Sequence, residues 1–452
     1  MDLPELRTQL AKYLDKRQLA AASAVCKSWN DSFIPILYSE VSNEYVRSIN
    51  TLRKHAQHVR ILYIFDRLDE VPLEAFFRLE ELIVYSFDEG CINWTRMSNL
   101  FSRNQGLVDL TIQGYFPVPA ETMSHISSLP ILRKIYFMHC ELDGPSTELL
   151  FKTCLHLEQL KLYSCKLAWR ELEHWEQFPS IQSLILAYID DSKNCEEIQL
   201  IGKCPQLKSL SYDSFKEESP LVLELCRVIS EKCLLLENLD FGCCEFGGEE
   251  IASIIDSTSR LKAITALFCA LTAPCLDARD ILGITEGSES TGEEGTGALQ
   301  LTASTVKTTT TALHPREWVC TDLRALTIYV HGFAGQPPEW QQLVLRQIAK
   351  LDKLEHLDIG SAYPGEHMTA TGLCLRLHAG LDTLESLRRL KSLRFIDLNP
   401  DMEEQEIYWM LNAWPELDTL SGQINSLQSR REELYSILLP KHVHLSPIQS
   451  QE

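Results

Sequence analysis

What most constrains this chain is a short apolar pattern, L-x-x-L-x-L-x-x often closing in Cys, that recurs from residue 59 onward. Four copies are nearly complete: Leu132-Ile135-Phe137-Cys140, Leu157-Leu160-Leu162-Cys165, Leu236-Leu239-Phe241-Cys244 and Leu261-Ile264-Ala266-Cys269. Looser copies begin at Val59, Leu79, Leu107, Ile181, Leu207, Leu323, Leu354, Leu393 and Leu417. Between Leu107 and Leu261 successive starts lie 25, 25, 24, 26, 29 and 25 residues apart. Alternation within L-x-L makes a short strand whose leucines point one way and whose intervening residues point the other. Between the strands, stretches such as Gly144 to Cys154 and Glu249 to Arg260 carry apolar residues at helical spacing. Each unit is one strand plus one helix and buries its apolar side only against the next unit. The expected fold is α/β, a solenoid with a curved parallel sheet on the concave side and helices on the convex side.

This period resembles that of leucine-rich repeats, in their cysteine-ended subtype. The closing cysteines, and Cys154, Cys204 and Cys233 ahead of their strands, read as small buried side chains, since no adjacent base marks them as catalytic thiols. Outward residues of successive strands form columns, from which Tyr136, Lys161 and Tyr163 are the candidate substrate contacts; tyrosine and charge dominate desolvated interfaces. The period breaks for 62 residues between Leu261 and Leu323. Within that gap, Gly283 to Ala312 holds five glycines, twelve Ser/Thr and no aromatic residue, composition that cannot offset the entropy of ordering. A flexible insertion at about 283–312 is expected, either merely tolerated or a phosphorylated regulatory loop. Later repeats stretch to fit longer helices such as Thr371 to Arg389. The solenoid is expected over 42–430, and a last helix through Leu439 and a polar tail with His442 and His444 over 431–452.

The first forty residues are different. Pro4 suits a first helical turn and Asp2 could cap it; Leu6, Leu10 and Leu14 then recur at a spacing of four. Asp15 and Gln18 stand three apart like a capping box, starting a helix with Leu19, Ala22 and Val25; Trp29, Ile34, Leu37 and Val41 are expected on a third. So small a unit cannot hide this much apolar surface, so a partner is needed. Leu3-Pro4, Tyr13-Leu14-Asp15, Leu19 and Val25-Cys26-Lys27-x-Trp29 resemble the F-box, the helical module that joins substrate receptors to the Skp-type adaptor of cullin-RING ubiquitin ligases. Leu3-Pro4 stands one residue closer to Tyr-Leu than in the commonest form, and Glu5 directly follows Pro4. By that resemblance residues 1–41 are an F-box, and Leu3, Pro4, Leu6, Leu10, Leu14, Leu19, Val25 and Trp29 are the adaptor-binding candidates. The order of head and repeats resembles fungal and animal F-box/leucine-rich-repeat proteins.

Composition narrows the function classes. In 452 residues, 45% apolar and 23% charged, no run of eighteen apolar residues could span a bilayer, and no basic-then-apolar leader suggests export, so a cytoplasmic or nuclear setting is expected. Fifteen cysteines without export signals read as reduced thiols, and none has zinc spacing. The formal charge of -21 disfavours nucleic acid and fits a basic partner or simple solubility. No G-x-S-x-G, phosphate-loop, H-E-x-x-H or G-x-G-x-x-G pattern occurs, so neither catalytic residues nor a metal or cofactor is expected. The resemblances imply a non-catalytic substrate receptor that docks on the adaptor, and through it cullin, and holds a protein substrate. The alternative is a repeat scaffold without ubiquitin transfer.

Overall fold

The computed structural model describes residues 4–44, 48–66, 70–86, 92–189, 195–213, 221–241, 266–268, 276–277, 322–328, 330–331, 333, 338–359, 373–395, 398, 401–441 and 443–446. The chain divides into two compact units, Met1–Ser214 with Glu231–Leu236, and Phe215–Ser230 with Glu237–Glu452.

The first unit opens with three helices, α1 (Pro4–Ala11), α2 (Lys16–Ser23) and α3 (Lys27–Leu37). The expected capping box is present: the Asp15 carboxylate accepts from Gln18 N at 2.8 Å and the Gln18 side chain accepts from Asp15 N at 3.0 Å. Leu14 and Val25 lie past the ends of α1 and α2. Val41, expected on the third helix, instead sits in strand β1 (Glu40–Ser42), buried and paired in parallel with Leu62. The helix stops at Leu37, and a β-branched residue between two more exposed neighbours suits a half-buried strand. The ladder therefore starts one rung before the first copy of the repeat pattern.

Beyond it come α4 (Ile49–His55), β2 (Ile61–Phe65), β3 (Glu81–Tyr85), α5 (Trp94–Arg103), β4 (Asp109–Pro117), α6 (Ala120–Ser127) and β5 (Lys134–Leu142). They are followed by α7 (Gly144–Cys154), β6 (Gln159–Tyr163), β7 (Lys166–Leu167), β8 (Ser183–Ala187), α8 (Cys195–Gly202) and β9 (Ser209–Asp213). The ladder is parallel, and the strand leucines of the pattern stand in register: Leu62, Leu82, Leu110, Ile135, Leu160, Leu184 and Leu210 are successive partners, all buried. Each such side chain contributes about 2 kcal/mol by leaving water, which only stacking allows. Helix α7 has the bounds expected from its spacing: Asp143 caps it by accepting from Ser146 N at 2.9 Å, and Leu150, Phe151 and Cys154 face the core. The second stretch read as a helix, 249–260, lies outside the described residues.

Of the cysteines expected to be buried, Cys140, Cys154, Cys165, Cys204 and Cys233 are, and Cys244 and Cys269 lie outside the described residues. The Cys140 thiol donates to Ile112 O at 3.5 Å and Cys165 to Phe137 O at 3.3 Å, so each ties its strand end to the rung before it. Cys154, Cys204 and Cys233 are buried near helix ends; burial pushes the Cys233 thiol up to about 12 and raises the other two as well. At the corresponding place in an earlier repeat stands Asn104, also buried, whose side chain accepts from Leu79 N at 2.8 Å and donates to Phe76 O at 3.1 Å and Leu100 O at 2.8 Å.

The second unit carries β10 (Asn238–Asp240), β11 (Ala266–Phe268), β12 (Leu276–Asp277), β13 (Ala325–Thr327), β14 (Val330–His331), α9 (Pro338–Ala349) and β15 (His356–Asp358). After these come β16 (Ser392–Arg394), α10 (Glu404–Ala413), β17 (Thr419–Ser421), α11 (Gln428–Leu438) and β18 (His444–Ser446). Strands β10, β11, β13, β15, β16, β17 and β18 pair in parallel in that order. Because Leu393 pairs with Leu357, the second strand position of its repeat, that copy begins at buried Leu390 rather than at Leu393. The long helix expected over Thr371 to Arg389 is absent from its described part. Two 3-10 turns, Leu377–Ala379 and Leu381–Ser386, meet at Gly380, whose φ of 102° breaks helical geometry. After α11 the chain continues into β18, so His444 is a strand residue. The insertion at 283–312 and His442 lie outside the described residues.

Candidate protein-binding surfaces

The head packs around a small core of its own. Ala11, Leu19, Ala22 and Phe33 are buried, with Leu14, Trp29, Ile36 and Leu37 packed against them, and Trp29 meets Phe33 edge-to-face at 5.4 Å. The Arg7 guanidinium reaches the Ser28 carbonyl and so ties α1 to α3. This core leaves a second apolar set outside: Leu6 is 54% exposed, Leu10 42%, Tyr13 84% and Val25 65%. Leu6 and Leu10 are one helical turn apart, and Tyr13 follows three residues on.

The structure thus sorts the adaptor-binding candidates. Leu6, Leu10 and Val25 are exposed; Leu19 is buried, and Leu14 and Trp29 are partly buried bracing side chains. Pro4 opens α1, whereas Leu3 lies outside the described residues. Tyr13, the most exposed of the head's large apolar residues, was not among the candidates. It stands inside the Tyr-Leu-Asp run, but its alternation with a core-facing Leu14 shows only when α1 is seen to end at Ala11. At the other end of the head, Tyr38 stacks on His55 of α4 at 4.2 Å and 11°. Burial, then Lys54 and His58, holds the His55 imidazole below its ordinary range, so this stack is neutral near pH 7.

The second surface is the outward side of the first unit's strands. One row across them reads Ser42, Tyr63, Ile83, Thr111, Tyr136, Lys161; the next reads Phe65, Tyr85, Gln113, Met138, Tyr163. The three substrate candidates come together here. Lys161 Nζ lies 5.7 Å from the Tyr136 ring centre, and burial, then Tyr163, raises the Tyr136 phenol above its ordinary value. Tyr163 stands between His139 at 5.7 Å and Tyr188 at 4.9 Å, and His139 stacks on Tyr115 at 4.4 Å. Phe65 and Tyr85 stack at 4.8 Å.

Sequence reasoning missed Tyr115, His139 and Tyr188, for a backbone reason. The β4–β5 register shifts between Gln113 and Phe116, where a Cβ on Gly114 would come within 2.2 Å of Ser86 O. His139 and Tyr188 have φ of 58° and 53°, conformations that swing them out of strand alternation. A cavity of about 420 Å³ lies at the ends of β1 and β2, lined by Leu52, Phe65, Val71 and Glu70 among others. Among the described residues no cluster of His, Cys, Asp and Glu could hold a metal ion, and no helix is long and apolar enough to cross a membrane.

No family model matches the chain. Among curated proteins it is 23% identical, over 256 residues, to the SCF E3 ubiquitin ligase complex F-box protein pof2 of Schizosaccharomyces pombe. That alignment covers 52% of this chain and 55% of pof2, so the chain spans about half the length of the curated relative it matches. The fold itself, strand leucines in register along a parallel ladder, is that of a leucine-rich-repeat solenoid. Solved structures similar to this repeat protein include a leucine-rich-repeat protein of Leptospira interrogans, with a TM-score of 0.40, 13% identity, and 90% of this chain and 100% of that one covered. An internalin of Listeria monocytogenes has a TM-score of 0.38 and 11% identity, covering 100% and 95%. The Rad7–Elc1 complex of yeast has the same TM-score and identity, covering 99% and 92%.

Proposed function

We propose that this chain is the substrate-recognition subunit of a Skp-cullin-F-box ubiquitin ligase. The head docks on the Skp-type adaptor, and through it on cullin, while the repeats hold a protein substrate for ubiquitination and proteasomal degradation. The chain contributes proximity and no bond-making residue. What supports this reading is the exposure of Leu6, Leu10, Tyr13 and Val25 around a head that already has a packed core. Such side chains stay in water at a cost unless a partner covers them. The similarity to pof2 supports the same class of complex. Buried thiols kept as free cysteines support a reducing compartment, cytosol or nucleus.

Capture of a Skp-type adaptor by the full chain tests the docking half, comparing wild type with Tyr13→Asp/Val25→Asp. The double variant is expected to lose capture while its thermal unfolding is unchanged. Undiminished capture by the variant, or no capture by wild type, overturns the reading. Expression of the same variant in cells is expected to make the substrate accumulate; a bound partner whose abundance ignores the variant indicates a scaffold without ubiquitin transfer.

A further inference from the structure

We propose that the outward face of β1–β4 grips an extended segment of a partner protein by its arginine or lysine side chains. This deepens the receptor reading and rests on it only in taking the outward strand face as the binding side.

The observation is three carboxylates in one register row, with the aromatic rings of Tyr63, Phe65 and Tyr85 on the same face beyond them. At the N-terminal ends of these strands, Glu40, Ile61, Glu81 and Asp109 are successive register partners. Strands lie about 4.8 Å apart, so the row spans about 14 Å, the length of about four residues of extended chain. Two residues further along each strand stand Tyr63 and Ile83, and two beyond those the stacked pair Phe65 and Tyr85. The outward positions of β1–β4 hold no lysine or arginine. Lys134 on β5 pairs with Asp109 at 3.4 Å and so offsets that end of the row, whereas Lys16 donates to the backbone carbonyl of Glu40, at 3.2 Å, rather than to its carboxylate.

Electrostatics agree with this placement. Burial, then Asp109, raises the Glu81 carboxyl above its ordinary range, with Glu40 adding to the effect and Lys134 opposing it. Burial raises the Tyr63 phenol, and Glu40 and Glu81 raise it further, so the carboxylates act on that ring directly. A cation set over Glu81 relieves this like-charge crowding. A guanidinium suits the site because its plane lies on tyrosine while its donors fork to a carboxylate. On β5 and β6 the same face turns to Lys134 and Lys161, which repel a basic side chain and confine it to β1–β4.

Fluorescence anisotropy of a fluorescein-labelled Gly-Arg-Gly-Arg-Gly-Arg-Gly peptide with the full chain at low salt tests the proposal. Wild type is expected to bind it, with Glu81→Gln weakening binding about tenfold and Tyr63→Ala about fivefold. Glu148→Gln/Glu173→Gln, which removes two exposed carboxylates from the helical side, is expected to change it less than about twofold. The proposal is overturned if that control loses as much as Glu81→Gln, since the attraction is then diffuse. It is also overturned if Glu81→Gln and Tyr63→Ala both bind like wild type at unchanged melting temperature, or if wild type does not bind. Adaptor capture, measured on the same samples, is expected to be intact in every variant, which separates failure here from failure of the docking reading.

Discussion

Leu10 and Leu19 carry the same side chain in neighbouring helices of the head, and the structure requires them to fail in different ways when truncated. Leu10 is 42% exposed and Leu19 5%. With roughly 180 Å² for a whole leucine, Leu10 has about 75 Å² left for a partner to cover, about 2 kcal/mol at about 25 cal/mol per Å². Alanine keeps part of that contact, so Leu10→Ala should cost about 1.3 kcal/mol of docking, close to a tenfold rise in Kd. Adding Tyr13→Ala, which strips the most exposed ring of the head, should bring the loss to about a hundredfold. Leu19→Ala instead opens a cavity between Ala11, Ala22 and Phe33 and should destabilise the head by about 2–5 kcal/mol, with little direct effect on affinity while the head stays folded. Titration calorimetry of the full chain against a Skp-type adaptor measures the first effect, and thermal unfolding the second. The reasoning fails if Leu10→Ala/Tyr13→Ala binds within about twofold of wild type. It fails equally if Leu10→Ala lowers the melting temperature as far as Leu19→Ala does.

Other expectations concern the body. Asn104→Ala strands Leu79 N and Phe76 O without partners inside the core and should cost about 2–3 kcal/mol in urea unfolding, more than the same change at exposed Gln105. Gly114→Ala forces a methyl against Ser86 O and the Phe116 ring and should destabilise by about 2 kcal/mol or more, with loss of the Tyr115–His139 stack seen as altered aromatic circular dichroism. For Glu406, burial pushes the carboxyl up, but N–H groups of Glu403 and Leu377 together with Arg376 outweigh it and hold the group below its ordinary value. Its stabilisation is therefore complete above the unfolded carboxylate range, about pH 4.3, and is lost as pH falls through the lower folded value. Wild type should lose urea resistance between about pH 5 and pH 3, and Glu406→Gln should flatten that slope; parallel slopes would refute the assignment. Iodoacetamide mapping should label exposed Cys26 in the native protein and reach Cys140, Cys154, Cys165 and Cys204 only after unfolding.

Much of this fold was legible because one residue type at one spacing carries it. A leucine pattern at a near-constant period sets strand register, and Asp143 and Pro145 mark the start of α7 by local chemistry alone. Legibility failed where two periodicities overlap. Val41 fits a helical stripe as well as a strand, and only pairing with Leu62 decides it. Leu390 and Leu393 both suit the first position, and register with Leu357 selects Leu390. Gly380, inside the stretch expected as one helix from Thr371 to Arg389, takes a left-handed conformation that divides it. In the head, the F-box resemblance placed Leu6, Leu10 and Leu19 in one group, although burial separates them. The aromatic cluster around Tyr163 was half visible, because the rings of Tyr115, His139 and Tyr188 arrive through a bulge and two left-handed residues that no side-chain pattern announces.

Only Tyr38 and Ser39 separate the last helix of the head from β1, and the Tyr38 ring is clamped on His55. The head is therefore soldered to the ladder instead of hanging from a leash. Whatever it docks on keeps a set bearing relative to the first strands, and a cargo on those strands is presented at one angle. A single residue inserted after Tyr38 would turn that bearing while leaving both binding faces chemically intact.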